Sequence, residues 1–443
     1  MLIEFKVSNF KSFLEEQTLS LVASNYEKEL SEHLIAPELP GMKKAKLLRG
    51  AAIYGANASG KSNLIQALDY LKRRVLYSIR FSSRDPEGEP STGVTPFKLI
   101  PEDLRPEGSE FKLAFILDGI RFEFLLSLSP LRVLRERLAA FPKGREQVWY
   151  DREFDESTKT DRWTHLGEHA ALNSPLESRT RPDALFLSVA YEFNHFALTP
   201  VQEWFRTITV IGEAFLSLNR FMPSRRASAT HSHRRAIEAC MQDDAHKMRV
   251  LRLLKSADLG VSDLTVKQTL VPYPVAYRLA QPASPTEPVP QVRELLELSL
   301  THSGHEDFEA ALDWETEESL GTKQLYALLG PWLETLDCGG VILVDEVESS
   351  LHPILVRELL KMFLHRGESE APAQIIFTTH NPLLLDQTLL RRDQVWFTEK
   401  DSRGMTHLYP LSDYSPRKDE SLPRGYMAGR YGAIPSIPDG FAK

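Results

Sequence analysis

Cysteine is nearly absent from this chain: Cys240 and Cys338 are its only two in 443 residues. They lie far apart, and neither has a histidine or a second cysteine at metal-ligand spacing. Neither a disulfide framework nor a cysteine zinc site is supported. Long apolar runs are missing too, for none approaches the ~20 residues of a membrane-spanning helix. Glu4 and Lys6 interrupt the start where a secretion signal would be apolar. A cytoplasmic, reducing compartment and no membrane partner are the expectation. Positive charge is not in excess. The 53 Lys+Arg stand against 61 Asp+Glu, a net charge of -8, so any contact with nucleic acid must come from a local patch. There is no internal repeat, and no heptad run long enough for a coiled-coil arm.

What is present is ordinary globular composition, 42% hydrophobic and 26% charged, which argues against overall disorder. The length suits one large composite domain or two domains. Residues 2–7 alternate apolar and polar, as a half-buried strand does, and Asn9-Phe10-Lys11-Ser12-Phe13 marks a turn. A short apolar run, residues 51–54, stops at Gly55. Leu64, Leu68, Leu71 and Val75 then recur on one helical face. The Pro-, Gly- and Ser-rich stretch 82–110 reads as loop or edge strand. Residues 111–117 and 120–128 read as strands joined by Asp118-Gly119, a strong hairpin signal. From 198 to 259 the chain looks helical, and the prolines between 271 and 290 exclude a long helix and suggest a linker or excursion. The last third alternates strand 296–301, a helix from Thr322, strand 341–344, a helix from Pro353 and strand 374–379. Parallel βαβ units account for that order most simply.

Gly55-Ala56-Asn57-Ala58-Ser59-Gly60-Lys61-Ser62 fits G-x-x-x-x-G-K-[ST] between a strand and a helix. Glycines allow backbone N–H groups to turn inward around phosphate oxygens, and the helix N-terminus adds its positive end. Lys61 is expected on the β- and γ-phosphates of ATP, and the Ser62 hydroxyl on Mg²⁺. Gly55, Asn57, Ala58, Ser59, Gly60 and Asn63 complete the expected nucleotide contacts; GTP is not excluded. A chance glycine-rich turn is the bland alternative, and the strand and helix on either side weigh against it.

The apolar strand 341–344 ends in Asp345-Glu346. Downstream of a phosphate loop, Asp345 is the candidate Mg²⁺-side carboxylate and Glu346 the candidate general base that orients water. A buried strand followed by a polar turn is the competing reading. Strand 374–379 ends in His380, placed where a residue sensing the γ-phosphate would sit; a packing histidine is the alternative. Upstream, Glu318-Ser319-Leu320-Gly321-Thr322 opens a helix whose N–H groups are free for an anion. These residues suit a nucleotide held by a second subunit, and a plain N-cap at Ser319 or Thr322 is the simpler account.

Taken together, these motifs resemble a known group. Asn9-Phe10-Lys11-Ser12-Phe13 resembles the N-terminal signature of RecF, SMC and OLD-type ATPases. Glu318-Ser319-Leu320-Gly321-Thr322 resembles the divergent signature motif of OLD-like ATPases. Asp345-Glu346 with Glu348-Ser349-Ser350-Leu351-His352-Pro353 resembles their Walker B and D-loop, and Thr379-His380-Asn381-Pro382 their switch segment. The likeness covers about 1–80 and 295–400, with motifs in the expected order. The stretch 426–435 is similar to the end of stand-alone RloA- and AbiL-like ATPases.

That resemblance implies an α/β fold: an ABC/SMC-type P-loop head, with a mixed-sheet core, an antiparallel β subdomain and an inserted helical lobe. The implied division is 1–197 and 295–443 for the head, with 198–294 as lobe and linker. It also implies ATP hydrolysis with Mg²⁺ and a homodimer closing around ATP. A separately encoded Toprim-like, nuclease-like effector in anti-phage defence would be the partner. The chain ends soon after the switch segment, so nuclease activity in this chain is not expected. The Q-loop glutamine has no match; residues 187–194 offer Glu192 and Asn194 instead. A DNA-binding repair ATPase of the RecF kind is the second reading. It would use Arg220, Arg225, Arg226, Arg234 and Arg235 with His231 and His233 to track phosphates; a solvated helical face is the blander account. A sensor or scaffold with negligible turnover is the third.

Overall fold

The computed structural model describes residues 1–37, 39–40, 45–80, 83–84, 90–164, 175–212, 231–257, 259–272, 292–314, 316–349, 351–367, 370–417 and 420–435. The chain forms two compact units. The larger comprises Met1–Gly212, Thr335–Ser349 and Val356–Lys443, and the smaller Glu213–Glu334 and Ser350–Leu355.

Two sheets build the larger unit. Seven antiparallel strands run in the order Thr160–Thr164, Gln147–Asp155, Val133–Phe141, Ile120–Leu128, Ser109–Leu117, Leu2–Ser8 and Gln17–Ser20. The expected hairpin is present: Asp118 and Gly119 both have positive φ, 50° and 72°, which a two-residue turn of that twist demands. The other sheet has the order Ile208–Ile211, Val341–Val344, Gln374–Thr379, Gly50–Tyr54, Val395–Lys400 and Thr406–Pro410. Its first five strands are parallel, and the last turns back antiparallel. Strands buried on both faces read as continuous apolar runs; accordingly every residue of Val341–Val344 and Gly50–Tyr54 is buried.

The two sheets are tied by Gln374. Its Oε1 accepts the Leu2 N–H at 2.6 Å, and its Nε2 donates to the Leu2 and Leu48 carbonyls at 3.1 and 3.0 Å. Helix Lys61–Tyr77 buries Leu64, Leu68, Leu71 and Val75, the face its spacing predicts, in the main core.

The run expected to be helical from 198 is mixed. Helix Thr199–Arg206 is followed at once by the edge strand Ile208–Ile211, pairing with Val341–Val344. Four consecutive β-branched residues there, Ile208 to Ile211, override the helical spacing around them. In the smaller unit, helices His231–Gln242 and Asp244–Ser256 precede an antiparallel sheet of Val261–Pro272, Val292–Ser303 and Glu309–Asp313. The segment 198–294, expected as helical lobe and linker, therefore contains long strand as well. Alternation at Val261, Leu264 and Val266 is a period-2 pattern too ragged to stand out in sequence. Most of the proline-rich stretch, and Arg220, Arg225 and Arg226, lie outside the described residues. No helix among the described residues is long and apolar enough to cross a membrane.

Candidate functional site

The parallel strand order brings three chain segments to one sheet edge. Gln374–Thr379 lies between Val341–Val344 and Gly50–Tyr54, with Val344 opposite Phe377 and Thr379 opposite Tyr54. Residues that leave the carboxyl ends of these strands therefore share an edge: Asp345-Glu346, His380 and Gly55. Open α/β sheets bind ligands at that edge.

The loop Gly55–Gly60 curls around Lys61. The Lys61 ammonium, with the residue only 5% exposed, donates to the Gly55 and Ala56 carbonyls at 2.8 and 3.0 Å. Burial pulls its pKa down, while Glu346, Asp345 and Glu348 oppose the shift in that order. Those three carboxylates and the ammonium thus share one electrostatic environment. Ser59 and Gly60 are buried, Asn57 and Ala58 are exposed, and Ser62 and Asn63 are half-buried. Ala58 and Gly60 both have positive φ, 61° and 113°.

The tightness of the loop comes from neighbouring strands. Ser59 Oγ lies 2.7 Å from Thr398 Oγ1, and Thr406 Oγ1 donates to the Ser59 carbonyl at 2.8 Å. A methyl group at Gly55 would meet Ser59 Oγ and Thr398 Oγ1 at 2.5 Å, and one at Gly60 would collide with Thr406. Only glycine fits at either place. The N-terminal signature braces the same loop. Ser12 Oγ accepts from Asn63 Nδ2 at 2.7 Å and lies 2.8 Å from Thr406 Oγ1, and the Ser12 carbonyl accepts the Thr406 N–H at 2.8 Å. Asn9, at φ 47°, donates to the Pro106 and Gly108 carbonyls and accepts the Phe97 N–H, all at 3.1 Å. Asn63, expected on the nucleotide, places its side-chain amide on Ser12.

At the acidic strand end, Thr378 is the organiser. Its hydroxyl donates to Asp345 Oδ1 at 2.6 Å and accepts the Glu346 N–H at 2.7 Å. Asp345 is 8% exposed and Glu346 is exposed. Glu346 sits at φ 52°, a costly conformation for a non-glycine residue that clusters at functional sites. Glu348 Oε1 accepts the His380 backbone N–H at 2.8 Å and lies 3.1 Å from His380 Nδ1. Glu348 Oε2 is buried and without a hydrogen-bond partner among the described residues. His380 itself is more than half exposed.

Ser319, Gly321 and Thr322 belong to the smaller unit. Ser319 Oγ accepts the Thr322 N–H at 3.1 Å and lies 2.8 Å from Thr322 Oγ1, so Ser319 caps helix Leu320–Cys338 as the simpler reading expects. Ser319 is exposed and Thr322 buried. In place of a Q-loop glutamine, Glu192 pairs with Arg80 at 2.7 Å, and Asn194 sits at φ 53°.

Sequence reasoning missed Thr378, Thr398 and Thr406. Thr378 and Thr398 stand one strand, and Thr406 two strands, from the strand that carries the motif each supports, and a threonine in a strand carries no signal of its own. Ser12 was inside a quoted motif, but its role needs the fold.

A strand, a glycine-bounded loop and a helix, with an acidic strand end two places along a parallel sheet, define a P-loop α/β fold. Here it is joined to an antiparallel β subdomain. Residues 51–386 match the family described as "AAA domain, putative AbiEii toxin, Type IV TA system". The match spans well over half of the chain, which belongs to that family; membership implies nucleotide binding. No curated protein matches the sequence. Among solved structures, the chain is similar to an SMC head bound to the C-winged helix domain of ScpA. That likeness has 13% identity and a TM-score of 0.45, covering 93% of this chain and 99% of that one. It is also similar to the SMC head domain from Thermotoga maritima, at 15% identity and a TM-score of 0.38, over 92% and 98% of the chains. A third is the Smc head with an extended coiled coil, bound to the C-terminal domain of ScpA, derived from Pyrococcus furiosus. It has 13% identity and a TM-score of 0.38, over 94% and 97%.

Proposed function

We propose that the chain is an ATPase that closes as a homodimer around Mg²⁺-ATP and controls a separately encoded effector. The observation that carries this reading is the strand register that brings the Lys61 loop, Asp345-Glu346 and His380 to one carboxyl edge of the parallel sheet. The residues suit the ligand. The loop is too crowded for any Cβ at Gly55 or Gly60, as a backbone cradle for phosphates requires. A buried ammonium that now donates to its own loop carbonyls is a phosphate donor held in place.

In this account Ser62 and Asp345 hold Mg²⁺, which neutralises charge on the phosphates when bound. Thr378 fixes the Asp345 carboxylate and the Glu346 backbone together. The Glu346 side chain, exposed at its strained position, takes the proton from the attacking water. Glu348 aims His380, which reads the γ-phosphate. Ser319, Gly321 and Thr322 of a second copy close over that phosphate, and each nucleotide then adds charge-assisted hydrogen bonds to both copies. Loss of the γ-phosphate loosens the pair.

Membership of a family described by a toxin of a type IV system supports a partner-dependent defence role of the RloA/AbiL-like kind. The effector in that role is Toprim-like, and a cytoplasmic setting goes with it. The test is Glu346→Gln. The variant should bind ATP with near wild-type affinity while turnover falls by about 10²-fold or more. Wild-type turnover in that variant would remove Glu346 from the base role.

A further inference from the structure

Glu32, His33 and His365 bring one carboxylate oxygen and two imidazole nitrogens within 4.8 Å of one another. None of the three belongs to the nucleotide site. We propose that they bind a zinc-like divalent transition-metal ion, with one coordination position left to water.

His33 is the fixed point. It is fully buried, and its Nε2 has no hydrogen-bond partner among the described residues. Its Nδ1 lies 2.9 Å from Gln394 Oε1. That oxygen also accepts the Arg391 backbone N–H at 2.9 Å, which identifies it as the acceptor end of the amide. Nδ1 must therefore carry the proton, and Nε2 presents a bare lone pair. A histidine that donates its second N–H to a carbonyl-type oxygen is the usual support of a metal ligand.

The other two ligands are exposed and able to swing. The His33 and His365 rings lie 5.0 Å apart. Tetrahedral zinc bonds near 2 Å place ligand atoms about 3.3 Å apart, within reach of small rotations of the Glu32 and His365 side chains. Arg49 holds both supporting loops: it donates to the Glu32 carbonyl at 3.1 Å and the Gly367 carbonyl at 3.2 Å, and its N–H meets the His33 carbonyl at 2.8 Å. The charge on Arg49 opposes a cation. Arg391 opposes it less, since its guanidinium is paired with both Asp393 oxygens at 2.9 and 2.8 Å. Against these stand the Glu32 carboxylate and the negative end of helix Pro353–Leu364, which His365 directly follows. Two imidazoles and one carboxylate favour zinc over magnesium or calcium. A bound ion would staple the turn at 31–33 to the end of that helix.

The full chain, free of nucleotide and in excess Mg²⁺ to saturate oxygen-donor sites, is titrated with Zn²⁺ against a chelating dye and, separately, with Co²⁺. One site per chain is expected, with Co²⁺ giving the strong visible bands of a four-coordinate ion. Zn²⁺ should raise the Tm of the wild type. His365→Ala and Glu32→Gln, both surface changes, should each weaken Zn²⁺ binding by about tenfold or more and abolish the Tm rise. Equal Zn²⁺ affinity in wild type and His365→Ala, or only the weak bands of octahedral Co²⁺, would overturn the proposal.

Discussion

The Thr378 hydroxyl donates to Asp345 Oδ1 at 2.6 Å, and from the same oxygen it accepts the backbone N–H of Glu346 at 2.7 Å. One side chain on the strand beside the acidic pair thus sets both the carboxylate expected on the metal and the strained backbone of the expected base.

Replacing Thr378 by valine keeps the shape and removes both bonds. ATP turnover should fall by about 10–100-fold, the usual cost of losing a group that orients a metal ligand. Nucleotide affinity should change little, because the loop around Lys61 is untouched. Thr378→Ser retains the hydroxyl and should restore most of the rate. Steady-state kinetics beside equilibrium binding separate these outcomes. A loss in affinity alone would assign Thr378 a different part.

Gly60→Ala should abolish nucleotide binding. The added methyl collides with Thr406, and φ of 113° is strained for any side chain, at about 1–3 kcal/mol. Binding of a fluorescent ATP analogue and a thermal melt measure the two effects together. Unchanged binding would mean that the loop relaxes on contact with phosphate.

Glu136 gives a pH-dependent prediction. Fully buried, it accepts the Phe186 and Leu187 N–H groups at 2.6 and 3.0 Å and the Tyr150 hydroxyl at 2.9 Å. Burial raises its pKa, with the nearby Arg152 charge the largest opposing effect. The folded form then holds the proton more tightly than the unfolded chain. Its contribution to stability is complete below the ordinary carboxylate range and declines as pH rises through the raised pKa. Denaturant melts across that window should show the decline, and Glu136→Gln should flatten it. Glu136→Ala leaves three donors without their acceptor and should cost about 3 kcal/mol or more.

Much of the larger unit was legible in sequence because its signals are local. The phosphate loop, the strands 341–344 and 374–379, the hairpin at Asp118-Gly119 and the helix face of Leu64, Leu68, Leu71 and Val75 each depend on neighbours within a few residues. Strands Val133–Phe141 and Gln147–Asp155 were not assigned. Their charges obscure the period-2 pattern, and Arg135 meets Asp151 across the ladder at 2.7 Å. The supports of the site were equally hidden. Ser12 reaches Thr406 and Gln374 reaches Leu2, contacts between positions hundreds of residues apart that no spacing rule encodes.

Ser319→Ala separates a cap from a contact between copies. Loss of the cap alone should cost about 1 kcal/mol of stability and leave ATP binding by single chains intact. If Ser319 also grips the partner's nucleotide, ATP-dependent association should weaken by about tenfold while single-chain affinity holds. Association unchanged by the substitution would restrict Ser319 to capping.

The central claim is that ATP on the Gly55–Ser62 loop joins two copies of the chain. Sedimentation velocity of Glu346→Gln, with and without saturating Mg²⁺-ATP, tests it most directly. The account predicts a shift to dimer with ATP that reverses with ADP and is absent in Lys61→Ala. A Glu346→Gln protein that binds ATP yet sediments the same with and without it would contradict the account.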